Sequence, residues 1–176
     1  MRNTLLFSCL AAAVLLAACG KARQSAGESA AAPAAKSALP IVGKAPDFRI
    51  TTLDGKEVTA AGLKGKVVVV DFWATWCGPC VAEIPGYVAL QKKYGQDLVI
   101  IGVSVDRGGS EKVKQFAQKN GMNYLVAMGD GALAESFGGF DAIPTTFLID
   151  RDGNIRHQKT GSMAHEEYEA LVKQVL

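Results

Sequence analysis

Two cysteines separated by two residues are the side chains of this 176-residue chain best suited to chemistry. Cys77 and Cys80 enclose Gly78 and Pro79, follow Trp76, and lie between an apolar run and an amphipathic segment. This position predicts that a strand ends and a helix begins at the pair. The first thiol then faces the positive end of the helix dipole, which favours its thiolate. The second thiol follows one turn later, so the spacing predicts reversible thiol–disulfide exchange.

A fixed disulfide without turnover is the alternative interpretation of the same pair. A structural bridge needs neither the preceding Trp76 nor a place at the start of a helix. We therefore expect Cys77, the more N-terminal and more exposed thiol, to attack a substrate disulfide, and Cys80 to resolve the mixed disulfide. Gly78 and Pro79 set a tight first turn, in which the missing N–H of proline loses no partner.

The N-terminal residues predict export of the chain. Residues 5–16 are apolar and follow the basic Arg2, but they are too few to span a bilayer, which needs roughly 20 residues. The run ends in LAAC at residues 16–19, which resembles the cleavage box of bacterial lipoproteins. This resemblance implies a signal peptide over residues 1–18 and a lipidated Cys19. An ordinary signal peptide, in which Cys19 is incidental, is the alternative.

Residues 19–40 are expected to form the lipid anchor and a flexible tether. From residue 20 onward they are rich in Ala, Ser, Gly and Lys and contain no aromatic residue. Such a segment buries too little apolar surface to offset its ordering entropy, and as a coil it would span on the order of 25 Å. Export and lipidation would remove Cys9 and block Cys19, which leaves Cys77 and Cys80 as the free thiols.

Residues 41–176 have the length of one domain with a full core. The chain has 19 Lys and Arg against 17 Asp and Glu, a formal net charge of +2, without a basic stripe, which argues against nucleic acid as a partner. His157 and His165 are expected at the surface, and neither has a helpful spacing to the thiols for a metal site. We expect a monomer without metal or cofactor.

Strands alternate with helices along this domain, which predicts an α/β fold with a central mixed sheet covered on both faces. Asp54-Gly55 predicts the turn of an N-terminal hairpin, and the apolar runs 67–72 and 98–105 predict buried strands. Pro85 is predicted to kink the helix after the cysteines, and Ser162 to cap the last helix. The other predicted elements are helices at 80–94, 111–119 and 132–137 and strands at 124–127, 145–149 and 155–159.

Two distant segments resemble the signatures of thioredoxin-like proteins. Residues 70–80 read VDFWATWCGPC, like the family's active-site segment, and residues 143–150 read IPTTFLID, like its second signature. In that second signature, the proline follows a cis peptide bond and faces the active site. Residues 43–48, GKAPDF, and the hairpin after them resemble the periplasmic TlpA/ResA branch, whose members are often membrane-tethered. The resemblance covers residues 41–176 and implies a thioredoxin-like fold and thiol–disulfide oxidoreductase activity.

The resemblance also implies roles for residues around the pair. Asp71 matches the buried acid of thioredoxin, which exchanges protons with the resolving thiol, and Glu83 matches a glutamate near the active site of the branch. A strand-end Asp71 and a solvated Glu83 are the alternatives. Ile143 and Pro144 would present backbone to an extended peptide, and Trp76 and the Gly-Pro dipeptide would line the contact surface. Two acids near one thiol pair would raise each other's pKa.

Members of this branch usually deliver reducing equivalents to protein disulfides outside the cytoplasm, for example in cytochrome c or metallo-oxidase maturation. A membrane thiol donor usually recharges them. A peroxiredoxin is one alternative, because APDF at residues 45–48 also opens that family, but its motif has Pro and Thr where this chain has Val70 and Ala74. A copper-binding chaperone is the other. The intervening Gly-Pro and the lack of a nearby His or Met cluster in the sequence argue against it.

Overall fold

The computed structural model describes residues 39–176. The predicted signal peptide, the proposed lipidation site at Cys19 and nearly all of the tether lie outside these residues. Strands and helices alternate along the described part, as the sequence predicts. Its strands are β1 Gly43–Lys44, β2 Arg49–Thr51, β3 Glu57–Thr59, β4 Val67–Trp73, β5 Leu98–Ser104, β6 Leu125–Met128, β7 Thr145–Ile149 and β8 Asn154–Thr160. Its α-helices are α1 Gly78–Tyr94, α2 Ser110–Lys119, α3 Gly131–Ser136 and α4 His165–Lys173.

Six of these strands form one mixed sheet in the order β1-β8-β7-β4-β5-β6. The central strand β4 pairs in parallel with β5 and antiparallel with β7. Every residue of β4 is buried, as expected for a strand covered on both faces. The mixed sheet flanked by helices confirms the predicted fold class.

The remaining two strands, β2 and β3, pair antiparallel with each other. Gly55 lies in the turn between them with φ of 83°, in the left-handed region that glycine adopts without strain. A single bridge between Thr52 and Ala127 connects this pair to the end of β6. The hairpin predicted at Asp54-Gly55 is therefore present.

The side chains of β4 alternate between the two faces of the sheet. Val68 and Val70 pack into the core on one face, whereas Val67 and Val69 pack into the core beneath α1 and α4. Successive side chains of a strand point to opposite faces, so Asp71 lies on the same face as Val67 and Val69. The strand therefore directs one carboxyl toward the helix that carries the cysteines.

Two helices differ from the sequence prediction. Helix α1 begins at Gly78, two residues earlier than predicted, and continues through Pro85 to Tyr94. Helix α4 begins at His165, with Ala164 and not Ser162 at the capping position. The backbone N–H of Met163 donates to the Glu83 side chain at 2.9 Å. This bond ties the segment before α4 to α1, and because the capping position is Ala164, the predicted cap at Ser162 is wrong.

The two histidines are less exposed than predicted. His157 lies in β8 opposite Leu148, a fully buried residue of β7, and its Nε2 atom is buried. Burial lowers the pKa of His157. His165, at the start of α4, is also only half exposed. The predicted surface position of both side chains is therefore only partly correct. Over residues 39–176, no helix is long and apolar enough to cross a membrane.

Candidate active site

The two cysteines lie where β4 passes into α1. Cys77 is the capping residue of the 17-residue helix, and its Sγ accepts a hydrogen bond from the Cys80 N–H at 3.3 Å. The two Sγ atoms are joined in a disulfide with an S–S distance of 2.06 Å. An N–H group at the start of a helix and the helix dipole both favour negative charge. In the reduced protein, the same N–H can stabilise a Cys77 thiolate.

An apolar surface lies beside the disulfide. Trp76 is 66% exposed, whereas Cys77 is 6% and Cys80 2% exposed. The carbonyl oxygen of Ile143 lies 3.8 Å from Cys77 Sγ, and the Ile143–Pro144 bond is cis, as the resemblance implies. An incoming side chain can therefore contact the tryptophan and the disulfide together.

The register between β4 and β7 brings this backbone to the cysteines. Phe72 near the end of β4 pairs with Thr145 at the start of β7. The preceding Pro144 therefore lies level with the loop that leads from β4 into α1. Two segments 66 residues apart in sequence meet at the disulfide for this reason.

Asp71 is a buried acid inside β4 and not at its end. Asp71 is 4% exposed, and its Oδ1 accepts a hydrogen bond from the Thr146 hydroxyl at 3.0 Å. Burial and, to a smaller extent, the charge of Glu83 raise the pKa of Asp71 to about 7 against the opposing effect of the bond from Thr146. A carboxyl that titrates near neutral pH can both donate and accept a proton there.

Glu83 is a half-buried acid on α1, one turn after Cys80. Its Oε1 accepts the hydrogen bond from the Met163 N–H, and its Oε2 is buried without a partner among residues 39–176. Burial raises the pKa of Glu83, while the bond from Met163 and the charge of Lys159 oppose the rise. Glu83 is thus held between α1 and the segment before α4, and it is not the solvated helix residue of the alternative.

Three tyrosines that the sequence interpretation did not single out surround the two acids: Tyr87, Tyr124 and Tyr168. Burial raises the pKa of each, and the charges of Asp71 and Glu83 raise all three further. The Tyr87 hydroxyl lies 3.3 Å from Thr146 Oγ1. In the sequence, Tyr87 follows Glu83 by four residues, and this spacing, which places both on one face of a helix, could have identified Tyr87 as a neighbour of Glu83.

Asp106 is a second residue that sequence reasoning missed. It follows β5, and its carboxylate accepts hydrogen bonds from the Thr75 N–H at 2.8 Å, the Thr75 hydroxyl at 2.6 Å and the Ser104 hydroxyl at 2.9 Å. Burial raises the pKa of Asp106, but these bonds outweigh burial and hold the pKa below its usual value. The ionised carboxylate therefore fastens the loop that carries Trp76. An acid directly after a buried parallel strand was the available signal.

Metal-binding side chains are not clustered in the described domain. Within residues 39–176, no group of three or more His, Cys, Asp and Glu side chains could hold a metal ion. The Asp71 carboxyl and the hydroxyls of Thr146 and Tyr87 form a connected polar group, and such groups can exchange protons.

Comparison with known proteins covers the whole described domain. The Redoxin family model matches residues 41–176. Thiol-disulfide oxidoreductase ResA from Bacillus thuringiensis (strain Al Hakam) is 36% identical over 141 residues, which are 80% of this chain and 81% of that protein. The protein of the same name from Geobacillus kaustophilus (strain HTA426) is 31% identical over 143 residues, 80% of each chain.

Solved structures show the same similarity in three dimensions. A thiol:disulfide interchange protein of the thioredoxin family from Chlorobium tepidum TLS superposes with a TM-score of 0.70 at 35% identity, over 76% of this chain and 95% of that one. The thioredoxin domain of a thiol-disulfide oxidoreductase from Bacteroides vulgatus superposes with a TM-score of 0.68 at 25% identity, over 78% and 99%.

Proposed function

Because this chain belongs to the Redoxin family as a thioredoxin-like thiol–disulfide oxidoreductase of the ResA type, we propose that it reduces protein disulfides outside the cytoplasm. The observation that carries the proposal is the position of the thiols. Cys77 caps α1 and accepts the Cys80 N–H, while the buried Asp71, with a pKa raised to about 7, faces the same helix. This arrangement favours a thiolate at Cys77 and supplies a proton acceptor nearby.

The reaction proceeds in two exchanges. The Cys77 thiolate attacks one sulfur of the substrate disulfide, which forms a mixed disulfide and releases the first substrate thiolate. The Cys80 thiolate then attacks Cys77 Sγ, so the mixed disulfide breaks, the second substrate thiolate leaves and the Cys77–Cys80 disulfide forms. Two electrons pass from the dithiol to the substrate. Asp71 accepts the proton that Cys80 must lose in its buried position.

The substrate binds as an extended peptide across the exposed end of the site. Trp76 offers the peptide an apolar contact, and the backbone at Ile143 and Pro144 can pair with its main chain. Gly78 and Pro79, in the first turn of α1, keep the cysteine side chains accessible because neither has a long side chain. Recognition of this kind selects a substrate mainly by its backbone and by the place of its disulfide.

The first 40 residues place this chemistry at a membrane surface. In this proposal, residues 1–18 are removed as a signal peptide, Cys19 is lipidated, and residues 19–40 tether the domain of residues 41–176. The LAAC box at residues 16–19 supports the anchor. The proposed substrates are the disulfides of proteins that mature there, such as apocytochrome c or metallo-oxidase assembly factors. A membrane thiol donor restores the dithiol.

The reduction potential of the Cys77–Cys80 couple tests the proposed direction. Equilibration of the purified protein with glutathione buffers should give a potential near the value of about −270 mV of thioredoxin. A potential near that of DsbA, about −120 mV, would make the protein an oxidant and contradict the proposal.

Insulin reduction with a thiol donor tests the activity. The wild-type protein should precipitate insulin chains, and the double variant Cys77→Ser/Cys80→Ser, which keeps the fold but has no dithiol, should not. Rapid peroxide consumption by a variant that retains only Cys77 would favour a peroxidase. Tight stoichiometric copper binding without exchange activity would favour a chaperone.

A further inference from the structure

A cavity of about 350 Å³, lined by both apolar and polar side chains, lies between α1 and the segment that leads into α4. Glu83 and Tyr87 line it from α1, and Ser162 and Tyr168 line it from the other side. The Tyr168 hydroxyl and Glu83 Oε2 are buried and have no hydrogen-bond partner among residues 39–176. A cavity with this volume and these polar atoms is suited to hold water, since a buried water needs about two to four polar partners.

Two hydroxyls connect this cavity to Asp71. The Tyr87 hydroxyl lies 3.3 Å from Thr146 Oγ1, and the Thr146 hydroxyl donates to Asp71 Oδ1 at 3.0 Å. A threonine hydroxyl carries a single proton. Because Thr146 gives that proton to Asp71, the proton between the two hydroxyls comes from Tyr87. Both bonds therefore point in one direction, from the cavity toward the buried carboxyl.

We propose that the hydroxyls of Tyr87 and Thr146 conduct protons between a water-filled cavity and Asp71. The inference rests on the proposed function, in which Asp71 serves the Cys80 thiol. A cavity water takes up a proton from bulk solvent and gives one to the Tyr87 oxygen, so it ends as neutral water, while Tyr87 passes its own proton to Thr146 and Thr146 passes its own to the ionised Asp71 Oδ1. One proton enters, one arrives, and both hydroxyls stay neutral. Release follows the same steps in reverse.

Because Asp71 is buried, protons cannot reach its carboxyl directly from solvent. The residue is almost entirely shielded from solvent, so a proton must reach the carboxyl through other groups. Neither Trp76, Cys77 nor Ile143 lines the cavity. A peptide bound at the disulfide therefore does not need to enter it, and the path stays open during substrate reduction.

The surrounding charges require the transfers to be coupled. Burial raises the pKa of Tyr87 well above its usual value, and the charges of Asp71, Tyr168 and Glu83 raise it further. A tyrosinate is therefore not an intermediate, and Tyr87 must gain one proton as it loses another. Glu83, whose charge Lys159 of β8 favours, lines the cavity together with two further titratable residues, His165 and Tyr168.

The rate of proton exchange at Asp71 tests the path. Line shapes of the Asp71 carboxyl carbon can be followed by NMR through a pH titration of the oxidised mature protein. In the wild type we expect one resonance that moves with pH. In Tyr87→Phe and in Thr146→Val we expect a resonance that broadens or splits near its midpoint, because exchange slows by about tenfold or more.

Tyr124→Phe is the matched control. The Tyr124 ring packs edge-on against Tyr87 with centroids 6.1 Å apart and lies in the field of the same two acids, but its hydroxyl is not a link in the path. This variant should keep the single moving resonance of the wild type.

Two results would overturn the proposal. Line shapes in Tyr87→Phe and Thr146→Val that match the wild type would show that protons reach Asp71 by another route. Slow exchange in Thr146→Val alone would place the proton entrance away from the cavity. The measurement uses oxidised protein without substrate, so a protein that failed to reduce insulin would contradict the proposed function without deciding the path.

Discussion

The reactivity of the Cys77–Cys80 pair depends on individual side chains that the fold keeps in different electrostatic states. Asp106 is held ionised by hydrogen bonds from Thr75 and Ser104. Asp71 accepts a hydrogen bond from the Thr146 hydroxyl, and burial raises its pKa to about 7 and so holds it neutral below that pH. The two aspartates therefore have different roles: the ionised Asp106 holds the loop that contains Thr75, whereas Asp71 exchanges a proton.

The pH dependence of stability should report the state of Asp71. The pKa of an aspartate is ordinarily 3.8, whereas that of Asp71 in the folded protein is about 7, so between these values the native state binds more protons than the unfolded state. The neutral Asp71 carboxyl therefore makes its full contribution to the free energy of unfolding below about pH 4, and this contribution is lost as the pH rises through about 7. We expect Asp71→Asn to raise the free energy of unfolding at about pH 8 by up to about 4 kcal/mol.

Urea denaturation of both proteins at the two pH values measures this difference. Near pH 4, where Asp71 is neutral in the native state and the unfolded state is close to its own midpoint, the variant and the wild type should differ much less. Asp47→Asn, at an exposed position, controls for the loss of one carboxyl. Equal stability of Asp71→Asn and the wild type at the higher pH would show that Asp71 is ionised without penalty.

Removal of the Asp106 carboxylate should loosen the active-site loop. Asp106→Ala leaves the Thr75 N–H and hydroxyl without their acceptor, and we expect a loss of about 2–3 kcal/mol in unfolding free energy together with a changed alkylation rate of Cys77 in the reduced protein. Asp106→Asn, which keeps one oxygen, should lose less. An alanine variant with wild-type stability and thiol reactivity would contradict the assigned role.

The sequence was informative about single residues only where the signal was local. The cysteine spacing and an aspartate inside an apolar run identified Cys77, Cys80 and Asp71 as candidates. The pairing of Asp106 with Thr75 spans 31 residues and depends on the register between β4 and β5. No local pattern contains that register, so the contact was not predictable.

At the scale of elements, the central strands and the hairpin follow from apolar runs and turn residues, whereas the contact between α1 and α4 does not. The segment before α4 is joined to α1 by the bond from the Met163 N–H to Glu83, a tertiary contact that no local pattern contains. Gly86 permits the two helices to approach, because a Cβ atom there would lie 2.8 Å from His165 Nδ1 and 3.2 Å from its Cγ. This glycine lines the same cavity as Glu83.

A double-mutant cycle at Gly86 and His165 tests this contact. Gly86→Ala should destabilise the wild type by about 1 kcal/mol or more, because the added methyl overlaps the imidazole. In the background His165→Ala the ring is absent, and the same change should instead stabilise the helix by up to about 1 kcal/mol through helix propensity.

Thermal or urea unfolding of the four proteins measures both effects. The change of sign between the two backgrounds is the informative result. Equal effects of Gly86→Ala in both backgrounds would show that His165 does not limit the approach of α4 to α1.

At the scale of the whole molecule, the proposed function assigns chemistry and location to different parts of the chain. Every residue assigned to exchange or proton transfer lies between residues 71 and 168, within the family match at residues 41–176. The proposed anchor and tether, residues 19–40, lie before that match. Activity should therefore be independent of lipidation, whereas the place of action should depend on it.

Substitution of Cys19 tests this separation. In cells that make the full chain, Cys19→Ser should move the protein from the membrane fraction to the soluble extracytoplasmic fraction, because the lipid attachment site is lost. Insulin reduction by the purified variant should match that of the wild type. A variant that remains with membranes would show that another part of the chain holds it there.

The central claim, that Cys77 attacks and Cys80 resolves, is tested most directly by trapping the mixed disulfide. Reduced Cys80→Ser and Cys77→Ser proteins are each mixed with a peptide disulfide and analysed by intact-mass spectrometry. We predict that Cys80→Ser accumulates a covalent one-to-one adduct at Cys77, because no resolving thiol remains, and that Cys77→Ser does not. An adduct that forms on Cys80 of Cys77→Ser at an equal or higher rate would contradict the assignment.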